Sequence, residues 1–187
     1  MRKISTYLLL VLVSALLVSC VAVKVPNEIV DEKNVDSPVV EQPIDEKIEK
    51  VTLTLYFPDN EALYLYKELR EVELPKDSVL AEIVLEELFK GPVSDNLSPS
   101  LDGENVVNSV IVSDGVCTVD FKKDFALLNS GGSTRESFAV GSIVNSLCEL
   151  EDVDEVKINI DGDTNAVFGG HFTLEFPFAA QKDLIAE

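Results

Sequence analysis

The chain has 187 residues, with 34 acidic against 15 basic side chains, one His, three Cys and no Trp. A formal charge of −19 excludes a protein that works mainly by neutralising phosphates, because nucleic-acid binding runs on Lys/Arg counterion release. A hydrophobic fraction of 46% is too high for a wholly disordered chain, and the length suits one domain with appendages. A lone His and three scattered Cys leave a zinc site short of ligands.

The first appendage is residues 1–19. Arg2 and Lys3 precede the apolar run Tyr7 to Val18, which is well below the roughly 20 residues that span a bilayer, so the segment reads as an export signal. It ends in Leu17-Val18-Ser19-Cys20, which resembles a bacterial lipobox. That resemblance implies a diacylglyceryl group on Cys20, which becomes the first residue of the mature chain. Removing the signal takes away Arg2 and Lys3 and leaves 13 basic against 34 acidic side chains, a charge of −21. The chain is therefore expected on the extracytoplasmic face of a bacterial membrane. Residues 20–50 follow as lipidated Cys and tether. Pro26, Pro38 and Pro43, with 8 acidic and 4 basic residues between Val21 and Lys50, favour an extended chain.

Residues 51–178 read as one folded domain. Val51 to Phe57 alternates apolar and polar and predicts a strand with one buried face, and Leu63 to Leu74 suits a second. Asp77 or Ser78 can cap a helix that carries Leu80, Ile83, Val84 and Leu88 on one side, and Gly91-Pro92 stops it. Ser113-Asp114-Gly115 between Val106–Val112 and Val116–Phe121 predicts a hairpin, with Cys117, Val119 and Phe121 facing the core. Ser133-Thr-Arg-Glu136 matches a capping box, and the following helix buries Val140, Ile143, Val144 and Leu147. Val156 to Ile160 and Phe172 to Phe176 complete the strands, the latter after Gly169-Gly170. The order β-(β)-α-β-β-α-β-β predicts an α+β fold, a small mixed or antiparallel sheet with two helices on one face. Residues 179–187 read as a tail, frayed from Gln181 onward.

The search for chemistry assigns no catalytic residue, metal or cofactor. Asp161-Gly-Asp163-Thr-Asn165 opens like a calcium loop, but Ala166 stands where the loop needs Gly and Phe172 where it needs a bidentate Glu; it reads as a polar turn. His171 is the sole imidazole and reads as an edge residue. The carboxylates Glu86, Glu87, Asp152, Asp154 and Glu155 read as a solvated surface, and Gly131-Gly132 lacks the lysine of a phosphate-binding loop. For Cys117 and Cys148 a disulfide and two small buried thiols are both open.

Several segments together resemble the GerMN domain, named for the spore germination protein GerM. They are Leu53 to Pro58, Glu87-Leu-Phe-Lys-Gly-Pro92, Gly115 to Phe121, Val140 to Leu147, Val153 to Ile160 and Gly169-Gly170. GerM has two such domains in tandem, and this chain has one. The resemblance implies a membrane-attached extracytoplasmic module acting by binding and assembly in sporulation, germination or envelope processes, without catalytic residues or cofactors. It also implies a fold like that of ring-building modules. The expected partners are membrane lipid, through the acyl chains on Cys20, and an envelope or sporulation protein; nucleic acid is not expected. The competing readings are a wall hydrolase using paired acids and a small-ligand or cation sensor.

Overall fold

The computed structural model describes residues 49–170 and 172–187. The signal, Cys20 and most of the tether lie outside the described residues, as does His171. The domain begins with a hairpin, β1 (Glu49–Pro58) paired antiparallel in full register with β2 (Leu65–Leu74). After α1 (Leu80–Phe89) come β3 (Val107–Ser113) and β4 (Val116–Phe121), then α2 (Lys123–Asn129) and α3 (Ser133–Leu147). Next are β5 (Glu155–Ile160) and three two-residue strands, β6 (Val167–Phe168), β7 (Phe172–Thr173) and β8 (Phe178–Ala179); a 3-10 turn at Lys182–Leu184 follows.

The α+β class is as expected, but the strands divide among separate ladders. The hairpin β1–β2 stands apart from a mixed four-stranded sheet ordered β3-β4-β5-β8, in which β4 and β5 run parallel, and β6 pairs with β7 alone. The reason is α3. Every residue from Phe138 to Leu147 is buried, because the helix packs against the hairpin as well as against β5 and β8. Leu53, Leu55 and Phe57 join Val140, Ile143, Val144 and Leu147 in one core with Cys117, Val119 and Phe121. Phe121, Phe125 and Phe168 stack in a row, with centroids 4.0 and 5.6 Å apart, and Phe89 meets Phe121 and Phe125 edge-on. Aromatic pairs of this kind add to area burial.

Local signals are honoured unevenly. Asp114 and Gly115 have φ of 52° and 81°, the two positive values a type I′ turn demands. Gly91, at φ 78°, ends α1 and donates its N–H to the Leu88 carbonyl. Neither Asp77 nor Ser78 caps α1: the Ser78 hydroxyl donates to the Pro75 carbonyl and Asp77 itself sits at φ 63°. At α3 half the capping box forms. Glu136 accepts from the amides of Gly131 and Gly132, while Ser133 is already the first helical residue and makes no cap bond. The strand expected over Phe172–Phe176 shrinks to β7, because the carbonyls of Leu174 and Glu175 turn instead to the Lys157 ammonium.

The C-terminus departs most from expectation. Residues 179–187 are fastened rather than frayed. Asn145, buried in α3, exchanges hydrogen bonds with the Gln181 backbone, accepting from its N–H at 2.7 Å and donating to its carbonyl at 3.3 Å. Leu184 and Ile185 pack on Tyr56, Leu65 and Phe138, and the Ala186 amide donates to Leu65. Gly141 makes room: a Cβ there would lie 2.7 Å from a Leu184 methyl and 3.1 Å from one of Leu65. Deleting residues 182–187 should lower unfolding stability by about 2–3 kcal/mol, since full burial of one aliphatic side chain is worth about 1.5–3 kcal/mol and both are half-buried. A urea midpoint equal to that of the intact chain would show that the tail contributes nothing.

Candidate functional site

The acidic residues singled out in the sequence do not converge on one centre. Glu86 and Glu87 leave α1 in different directions: Glu86 is exposed, but Glu87 is buried, against the expectation of a solvated acidic face. Glu87 belongs to an ion network built across the Glu87-to-Pro92 motif. Arg70, from β2, donates through Nη1 to the Glu87 carboxylate at 2.9 Å and to its carbonyl at 3.0 Å. Through Nη2 it reaches the Gly91 carbonyl at 2.9 Å and the Glu68 carboxylate. Glu68 in turn accepts from the amides of Val93 and Ser94 just past the helix stop. Burial would push both carboxyls up, but hydrogen bonds and nearby charge hold both below the usual carboxylate range, from Lys90 and then Arg70 at Glu87, and from Arg70 with the Ser94 and Val93 amides at Glu68.

Asp161 and Gly162, with φ of 48° and 77°, form a tight turn between Ile160 and Asp163, and the Gly162 amide donates to Asp120. The Asp163 carboxylate is engaged by the Asn165 amide. This is the polar turn that the sequence suggested, and among the described residues no group of three or more His, Cys, Asp or Glu is placed to hold a metal ion. Asp152, Asp154 and Glu155 are exposed. The Gly131 and Gly132 amides, the natural anion donors of that loop, are taken by Glu136. Cys117 and Cys148 are free thiols, the first buried on β4 and the second partly buried at the end of α3. Burial, followed by the charge of Asp152 at Cys117 and of Asp154 at Cys148, pushes them up to about 12 and about 11. At neutral pH both are protonated and poor nucleophiles.

Sequence reasoning did not anticipate a groove of about 740 Å³ that runs between α1 and residues 103–110. Leu85 and Phe89 supply its apolar wall, and Glu82, Glu86 and Glu104 its rim. The far side is β3, the outermost strand of its sheet, which has a bulge between Val107 and Ser109. Beyond the loop, α2 presents Leu127 and Leu128 to solvent, 68% and 49% exposed, and Leu128 lies over Gly103. This additional helix is not announced by the sequence, because at seven residues it is too short to show an amphipathic period. No helix of the described residues is long and apolar enough to cross a membrane.

The architecture is that of a small α+β module whose buried charges serve its own packing. The chain belongs to the Germane family, described by sporulation and spore germination, whose model matches residues 54–166. Its domain is of the GerMN type. It is similar to the first GerMN domain of the sporulation protein GerM from Bacillus subtilis, with 26% identity over 71% of this chain and 99% of that one and a TM-score of 0.55. Against the tandem GerMN domains of the same protein the values are 24% identity, 71% of this chain, 47% of that one and a TM-score of 0.57. A protein from Clostridium perfringens described as a lipoprotein shares the fold at 18% identity, over 74% of this chain and 93% of that one, with a TM-score of 0.50. No curated protein matches the chain.

Proposed function

We propose that this chain is a lipoprotein, held on the extracytoplasmic face of a bacterial membrane by acyl chains on Cys20. Its GerMN domain binds and assembles protein partners, without catalysis, in sporulation, germination or another envelope process. Membership of the Germane family carries this reading. The lipobox at Leu17–Cys20 supports the anchor, as does the fold shared with a Clostridium perfringens protein described as a lipoprotein. The engagement of the buried Glu87 and Glu136 and the partly buried Arg70 and Glu68 in structural roles supports binding over catalysis.

Two acyl chains hold a protein on a bilayer far more firmly than one. Cys20→Ser should therefore move the chain from the detergent phase to the aqueous phase on phase partitioning, by at least about tenfold. A variant that partitions like the wild type would defeat the lipid anchor. Crosslinking in intact cells should join the wild-type chain to specific envelope proteins, and recovery of none in growing or sporulating cells would defeat the binding role.

A further inference from the structure

The groove between α1 and β3 has three properties that together narrow what can occupy it. Its far wall is a sheet edge: β3 is hydrogen-bonded to β4 on one side, and no strand among the described residues covers the other. An uncovered edge is a row of backbone donors and acceptors that an extended segment can pair with. Its near wall is apolar, formed by the partly exposed Phe89 over the buried Leu85, and its rim is acidic, with exposed Glu82, Glu86 and Glu104. Lys90 is the one basic side chain that lines it, and its ammonium is engaged by Glu87 at 2.5 Å, so it does not neutralise the rim.

We infer that this groove takes an extended segment of a protein partner that carries Lys or Arg at alternate positions and adds to the sheet along β3. The inference rests on the binding-module reading above and gives it a site. Alternation follows from strand geometry, since every second side chain of an added strand faces the same wall. Lys and Arg suit that wall at both ends: their methylene stems lie along Phe89, and their heads reach the carboxylates of α1. Other occupants meet the wrong charge. The chain's own residues 21–50 carry 8 acidic against 4 basic side chains, and a second copy would bring Glu82, Glu86 and Glu104 against their like. An anionic membrane surface is repelled in the same way. The groove itself meets β3 at Val107–Val110; past the bulge between Val107 and Ser109 the added strand pairs from Ser109 and Val110 and continues along the open edge to Ser113.

The test selects binders to the full-length chain from a randomised decapeptide library, in parallel with the double variant E82K/E86K. Both positions are exposed, so charge reversal leaves the core intact. Wild-type binders should be enriched severalfold in Lys and Arg at every second position, and binders of the variant should lose that enrichment. Hydrogen exchange should slow at Ser109–Ser113 when a selected basic peptide is added. Selection without basic enrichment, enrichment unchanged by E82K/E86K, or protection away from β3 would each overturn the inference. If crosslinking in cells recovers the same envelope partner with wild type and E82K/E86K, the groove assignment falls while the binding-module reading stands. If a basic peptide is selected and protects β3 but no partner is crosslinked in any growth state, the binding-module reading falls instead.

Discussion

Arg70→Ala is expected to destabilise the domain by about 3–5 kcal/mol, the usual cost of removing one partner from a buried ion pair. Arg70, Glu68 and Glu87 have side-chain exposures of only 12, 12 and 10%. Without the guanidinium, two carboxylates stay desolvated next to the end of α1 and the Gly91 carbonyl loses its donor. Lys90 can still serve Glu87, but it is 63% exposed and does not reach Glu68 in the present arrangement. The pH dependence supplies an independent reading. Glu68 and Glu87 are held below the ordinary value of 4.5 in the folded chain, so near and below that value the unfolded chain binds more protons. The stability they add is then complete at neutral pH and is lost as the medium falls through pH 4.5 and below. Unfolding by urea at pH 7 and at pH 4 should show the wild type losing more stability on acidification than Arg70→Ala. Parallel losses in the two proteins would mean that the network adds nothing through charge.

Gly169→Ala is the second large effect, at about 2–4 kcal/mol from overpacking combined with left-handed backbone strain. At φ 60°, a Cβ on residue 169 would lie 2.0 Å from the Glu136 carboxyl carbon and 2.2 and 2.5 Å from its two oxygens. Glu136 is buried and held by the Gly131 and Gly132 amides at 3.2 Å each, so it yields only by giving up those bonds. The neighbouring glycine separates clash from strain. Gly170 has φ 83° but open space around its would-be Cβ, so Gly170→Ala should cost only the backbone term, about 1–2 kcal/mol. Equal effects of the two substitutions, read as shifts of the thermal midpoint, would remove the steric account of Gly169.

Legibility followed the range of the interactions. The Asp114-Gly115 hairpin and the Gly91 helix stop were readable because each is decided within four residues. The core faces of β4 and α3 were readable because periodicity records burial directly. What failed depended on partners distant in sequence. Glu87 looked like one of many surface acids, since nothing near it announces Arg70 seventeen positions earlier. The Ser78 cap failed because a closer acceptor, the Pro75 carbonyl, takes the hydroxyl. The C-terminal residues show no period of their own: Leu184 and Ile185 answer to Tyr56, Leu65 and Phe138, which lie on the hairpin and α3. The groove was out of reach for the same reason, because α1 and residues 103–110 meet only in the folded chain.

The fastening of Gln181, Leu184 and Ile185 onto α3 and the hairpin also bears on timing. A polypeptide is made from its N-terminus at about 5–20 residues per second, so segments at the far end arrive last. The buried face of Leu65 and the amide of Asn145 find their partners only when residues 181–186 have emerged. Until then the hairpin has the core contacts of α3, which precedes them in the chain, but lacks those of Leu184 and Ile185. The contacts of residues 181–186 are thereby added to a core that the hairpin and α3 already form between themselves.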